Sequence, residues 1–117
     1  MVIYHYPNCT TCKKALAWLR ANEVAHEPID IVKHPPTRAA LERAAKLAGA
    51  PVRKLFNVSG ESYRAGGFKD RLPSMTDAEA FAALAADGKL IKRPLALGDE
   101  LALIGFDEVA WRAALVG

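Results

Sequence analysis

The chain contains two cysteines, Cys9 and Cys12, with two residues between them. That spacing suits a dithiol in which one sulfur attacks a substrate and the other closes an intramolecular disulfide behind it. The run Val2–Tyr6 before the pair is β-branched and aromatic, and Pro7-Asn8 breaks it. After the pair, Cys12, Ala15, Leu16 and Leu19 recur at the spacing of one helix face. The cysteines therefore stand where a strand ends and a helix begins, with Thr10 the expected N-cap. Unpaired backbone N–H groups at that terminus, together with the helix dipole, are expected to favour a thiolate on Cys9. Cys9 is thus the expected nucleophile and Cys12, one turn on, the resolving thiol. His5, Lys13 and Lys14 add positive charge nearby; His5 is either a catalytic neighbour or a packed strand histidine.

A zinc site would need two further ligands, and His26 and His34 are isolated from each other. No metal and no bound cofactor are expected. Lys92-Arg93-Pro94 forms a second candidate site segment. A proline there can hold a cis peptide and fix the backbone facing the cysteine loop. Arg93 then either presents a fork of donors to an anion or is an exposed loop arginine. Tyr63, Arg64 and Lys69 read as solvated surface, whereas Trp18, Trp111, Phe56, Phe81 and Leu90-Ile91 read as packing residues.

These residues need a scaffold, and the rest of the chain supplies its outline. Glu27–Val32 reads as a second strand, parallel to the first if the intervening helix is a crossover. Pro35-Pro36 ends it, Thr37 caps a helix bearing Leu41, Ala44, Ala45, Leu47 and Ala48, and Gly49 closes that helix. Val52–Phe56 gives a short helical turn and 57–60 a loop. Thr76 and Glu79 form a capping box for a helix lined by Phe81, Leu84 and Ala85 and ended by Gly88. Pro94–Leu97 and Glu100–Ile104 read as a hairpin whose turn takes its positive φ from Gly98. Asp107 caps a final helix, with Phe106 and Trp111 as its hydrophobic staple. The order, βαβ then helices then ββα, is that of an α/β, thioredoxin-like fold with a helical insertion at about 36–90 between the second and third strands. All 117 residues are expected to form one domain.

Composition agrees with that outline. Hydrophobic residues make up 51% and charged residues 25% of the chain, as in one globular domain that needs no disulfide or metal staple. The net charge is only +3, and the longest basic runs are pairs, Lys13-Lys14 and Lys92-Arg93, which argues against direct nucleic-acid binding. No leader-like segment opens the sequence, and no apolar run is long enough for a bilayer. A cytoplasmic protein is expected, because a lone dithiol suits a reducing compartment.

The segments Tyr6–Ala15 (YPNCTTCKKA) and Leu90–Pro94 (LIKRP) carry a further signal. With Pro35–Thr37, Lys54–Gly60, Tyr63-Arg64 and Ile104–Phe106, they resemble the glutaredoxin-linked arsenate reductase and Spx family, the ArsC-like proteins, over nearly the whole length. The resemblance implies that Cys9 corresponds to the nucleophilic cysteine, His5 to a histidine close to it, Arg93 to an arginine that contacts the arsenic oxyanion, and Pro94 to the cis-proline. Two more oxyanion-handling arginines of those reductases fall at Asn57 and Gly105 here. Losing two of three guanidinium forks weakens capture of a dianion, so arsenate is not the favoured substrate. The arsenate reductases also lack a cysteine at the place of Cys12 and rely on glutathione and glutaredoxin. In that respect the pair is similar to Spx regulators, which sense oxidation through it and bind the RNA polymerase α-subunit. The region 57–67 is similar to short reductase-like members, and no basic tail follows. The implied activity is a thiol–disulfide oxidoreductase using glutathione or another thiol, with glutaredoxin or thioredoxin as partners. The alternatives are an Spx-type redox regulator and a genuine glutaredoxin-dependent arsenate reductase.

Overall fold

Side chains of alternate strand residues point to opposite faces of a sheet, and this places helices on both sides of the sheet here. In the computed structural model, which describes residues 1–117, four strands line up in the order β2-β1-β3-β4. These are β1 (Val2–His5), β2 (Glu27–Asp30), β3 (Leu95–Leu97) and β4 (Ala102–Ile104). β1 runs parallel to β2 and antiparallel to β3, and β4 runs antiparallel to β3. From β1 and β3, Ile3 and Ala96 face Trp18, Leu19 and Trp111 of α1 (Thr10–Ala21) and α6 (Glu108–Leu115). Leu95 and Leu97 face the other way, into a larger core with Leu41, Leu55, Phe56, Leu84 and Leu90. That second layer is built by α2 (Arg38–Ala48), the short helices α3 (Glu61–Ala65) and α4 (Phe68–Arg71), and α5 (Asp77–Ala86). The result is the thioredoxin-like α/β architecture, with the helical segment lying between β2 and β3.

The caps fall where side-chain chemistry directs them. Thr37 Oγ1 accepts the Ala40 N–H at 3.1 Å, and Gly49 ends α2 in the left-handed region at φ 63°. Thr76 and Glu79 exchange both bonds of the capping box, at 2.9 and 3.1 Å. Asp107 Oδ1 accepts the Val109 N–H, and the Phe106 and Trp111 rings meet edge to face at 4.9 Å.

Three expectations are corrected. The N-cap of α1 is Cys9 rather than Thr10, because extended backbone at Cys9 turns its own sulfur onto the Cys12 N–H. Strand β2 stops at Asp30 rather than Val32, since Asp30 Oδ1 captures the N–H groups of Val32 and Lys33 at 2.9 and 3.1 Å and turns the chain. The β3–β4 connection is a wider loop of residues 98–101, closed by Gly98 N–H donating to Leu101 C=O at 2.9 Å. Gly98 is not among the residues with positive φ.

One contact between the layers bears directly on the site. The Lys92 N–H donates to Leu55 C=O at 2.7 Å, the Asn57 N–H donates to Leu90 C=O at 2.8 Å, and Phe56 bridges Ile91. This short ladder pins the loop that follows the Val52–Leu55 turn against the segment entering β3, and so brings Asn57 beside Arg93.

Candidate active site

Extended backbone at Cys9 directs the sulfur over the first turn of α1, where it accepts the Cys12 N–H at 3.3 Å. The loop is closed from the other side by Cys9 N–H donating to Tyr6 C=O at 3.0 Å. Cys9 is half-buried, whereas Cys12 is fully buried, and both are free thiols. Burial is the main reason that the Cys12 thiol is pushed up to about 12; its hydrogen bond to the Cys9 side chain acts in the same direction. A backbone hydrogen bond with Tyr6 and the charge of Arg93 pull the other way. Thus the two cysteines differ sharply: one is partly exposed and its sulfur is supported by an N–H, the other is buried and held protonated.

Arg93 and Pro94 are joined by a cis peptide bond, and Pro94 is buried. Arg93 is not a free loop side chain. Its Nη1 donates to Lys89 C=O at 3.2 Å, and its guanidinium lies over the Tyr6 ring, 4.9 Å from the centroid. Two cavities meet at this group. One, of about 440 Å³, is lined by Thr11, Asn57, Lys92, Arg93, Gly105 and Phe106 among others. The other, of about 420 Å³, includes Tyr6, Asn57, Ser62, Lys89 and Arg93. Cys9 lines neither cavity, but Tyr6 and Thr11, on its two sides in the sequence, line one each.

The remaining candidates do not line these two cavities. His5 stands opposite Asp30 in the parallel β1–β2 register and lines no cavity. The Asp30 carboxyl is held below its ordinary range chiefly by the Lys33 N–H, with His5 a minor contributor. Tyr63 packs on Phe56 and Phe68, and Arg64 Nη1 donates to Ser59 C=O at 3.2 Å. Both are therefore parts of the insertion's own structure. Lys69 lies with Tyr63 at a third cavity, of about 430 Å³, on the insertion. No three His, Cys, Asp or Glu side chains converge as a metal cluster would, and no helix is long and apolar enough to cross a membrane.

One residue of this site escapes sequence reasoning as a functional candidate: Tyr6 reads only as a strand residue, and the available signal was its proximity in sequence to Cys9. Lys92 lies within the candidate segment Lys92–Pro94, where only Arg93 and Pro94 are given roles.

Comparison with known proteins gives this geometry a context. Residues 4–114 match the ArsC family. The chain is 38% identical over 108 residues to the uncharacterized protein YusI of Bacillus subtilis, covering 92% of each. It is 34% identical over 94 residues to the arsenate reductase of Rhizobium meliloti, covering 80% of this chain and 66% of the reductase. Similarity extends to the global transcriptional regulator Spx of Lactiplantibacillus plantarum, at 19% identity over 92% of this chain and 80% of Spx. Among solved structures, an ArsC family related protein from Bacteroides fragilis superposes with a TM-score of 0.93 at 39% identity, covering 96% of this chain and 94% of that one.

Proposed function

The chain belongs to the ArsC family, and from that premise we propose that it is a thiol–disulfide oxidoreductase in which Cys9 attacks and Cys12 resolves. The observation that carries this reading is the pairing of a partly exposed Cys9, its sulfur hydrogen-bonded by the Cys12 N–H, with a buried Cys12 thiol one turn along the helix. The Cys9 thiolate attacks one sulfur of a disulfide RSSR, forming the mixed disulfide Cys9–S–S–R and releasing RS⁻. Cys12 then gives up its proton and attacks the Cys9 sulfur, releasing the second RS⁻ and closing the Cys9–Cys12 disulfide. Two electrons pass from the dithiol to the substrate, and two thiols leave once each thiolate has taken up a proton. Glutathione, glutaredoxin or thioredoxin restores the dithiol by the same exchange in reverse. No metal or bound cofactor takes part.

The raised Cys12 pKa suits a resolving thiol. It stays protonated, and does not compete for substrate, until a disulfide on Cys9 places an electrophilic sulfur beside it. Arg93, held by Tyr6 and Lys89, is the substrate-orienting cation, and Pro94 fixes the backbone that presents it. A reducing compartment such as the cytoplasm keeps such a dithiol ready.

Turnover of hydroxyethyl disulfide with glutathione tests the reading. The unmodified protein accelerates the exchange, Cys9→Ser abolishes it, and Cys12→Ser mixed with the disulfide in the absence of glutathione stops at a Cys9 adduct visible as one added thiol mass. Failure of the unmodified protein to accelerate the exchange, together with retention of RNA polymerase by the oxidised form, would establish an Spx-type regulator instead.

A further inference from the structure

The side chain of Lys92 lies across Gly105. A Cβ built on Gly105 would stand 3.0 Å from Lys92 Cε, 3.8 Å from Nζ and 4.0 Å from Cδ. The lysine stem thus occupies the space that a side chain at 105 would take, and it carries the ammonium along the wall of the 440 Å³ cavity. The backbone beneath is well fixed. Gly105 has φ +74°, donates its N–H to Pro94 C=O at 2.9 Å and accepts the Trp111 indole N–H at 3.0 Å, while Lys92 N–H is bonded to Leu55. Bonded on both sides and left-handed in conformation, residue 105 is held as glycine, which leaves its surface open to Lys92.

Arg93 lines the same cavity, and neither cation forms an ion pair with a carboxylate. The opposing charge on the cavity wall is Asp107, which is engaged as the cap of α6 through its bond from the Val109 N–H. Two positive side chains against one negative leave a surplus of one positive charge. That surplus matches a single negative charge and leaves the second charge of a dianion uncompensated.

We propose that Lys92, laid over Gly105, and Arg93 form a clamp for one carboxylate, which makes the preferred substrate a small disulfide with a single carboxylate on the half that enters this cavity. The inference rests on the oxidoreductase reading above in taking Cys9 as the reacting sulfur. Thr11, between the two cysteines in sequence, lines this cavity and links the clamp to the cysteine loop. Lys92 is accordingly a specificity residue, not a catalytic one.

The test compares two chromogenic disulfides on the reduced protein: 5,5′-dithiobis(2-nitrobenzoate), with a carboxylate on each half, and neutral 4,4′-dithiodipyridine. The measured quantity is the ratio of their rates of first attack, which cancels any change in the reactivity of Cys9 itself. At low ionic strength Lys92→Gln lowers the ratio about threefold to tenfold, the effect expected of one partly exposed charge-assisted contact. Lys92→Arg keeps it, and Asp107→Asn, which preserves the helix cap, raises it. Added salt moves the wild-type ratio toward that of Lys92→Gln. An unchanged ratio in Lys92→Gln overturns the clamp, as does an equal fall in Lys92→Arg, which would trace the effect to stem packing rather than charge. Either result leaves the oxidoreductase reading standing. That reading fails separately if neither probe reacts with Cys9 faster than with a free thiol.

Discussion

The guanidinium of Arg93 lies over the ring of Tyr6, its Cζ 4.9 Å from the ring centroid, while its Nη1 is bonded to the Lys89 carbonyl. These two restraints come from different parts of the chain, the end of β1 and the short turn before β3. They hold the donor fork where the two cavities beside the cysteine loop meet. A side chain ordered in this way before a ligand arrives loses less entropy when it binds one.

Replacing Arg93 with alanine therefore affects ligands more than fold. The contact with Tyr6 is worth about 0.5–1 kcal/mol at a partly exposed site, so the melting temperature falls only slightly. A charge-assisted contact to an anionic thiol is worth more, and Arg93→Ala weakens glutathione binding by about fivefold or more. Thermal melts by circular dichroism and a calorimetric glutathione titration separate the two effects. Undiminished binding would reduce Arg93 to a surface side chain.

At neutral pH the two thiols alkylate in a fixed order. Cys12 is fully buried and held protonated up to about 12, while Cys9 is accessible and its sulfur faces an N–H. Iodoacetamide at pH 7 modifies Cys9 at least about tenfold faster, as thiolate character and access both require. Peptide mapping by mass spectrometry gives the order directly. A faster Cys12 would reverse nucleophile and resolver.

Burial of Cys12 also makes a pH signature in stability. Its thiol pKa rises from 9.0 to about 12 on folding, first through burial and then through the bond to Cys9. Below pH 9 the folded and unfolded chains both hold the proton, so the stability is intact. Between 9 and about 12 the unfolded chain releases it while the folded chain does not, and stability declines. Melting temperature measured from pH 8 to 11 thus falls more steeply for the wild type than for Cys12→Ala, in which this group is absent. Parallel curves would show that Cys12 titrates normally in the fold.

Much of this arrangement can be read from residue types. The β-branched and aromatic run Val2–Tyr6, the caps at Thr37, Thr76 and Asp107, and the staple of Phe106 on Trp111 are local signals, and the structure repeats them. What escaped depends on contacts distant in sequence or on competition between side chain and backbone. Asp30 drew two N–H groups to its carboxylate and shortened β2, although Ile31 and Val32 have the character of strand residues. Cys9 took the capping place of Thr10 because sulfur is a poor but adequate acceptor when the backbone aims it. Lys92 could not be tied to Gly105 from the chain alone, since 13 positions separate them and the contact exists only because β3 and β4 pair. The juxtaposition of Arg93 with Tyr6 likewise depends on β1 and β3 lying side by side.

The two positions where the resemblance places further arginines differ in what they tolerate, and arsenate reduction should follow that difference. Asn57 is half-buried, lines both cavities beside Arg93, and uses its backbone N–H and C=O in bonds that any L-residue can make. An arginine there adds a second guanidinium at the site. Gly105 has φ +74°, and a side chain there would strike Lys92 Cε at 3.0 Å. Gly105→Arg thus strains the backbone by about 1 kcal/mol or more and displaces one cation to install another. Arsenite production, followed with glutathione and glutaredoxin in excess, is expected to be low in the unmodified protein and to rise severalfold in Asn57→Arg. Gly105→Arg should show no gain and a lower melting temperature. Robust reduction by the unmodified protein would show that Arg93 and Lys92 already suffice for the oxyanion, and would make arsenate its substrate.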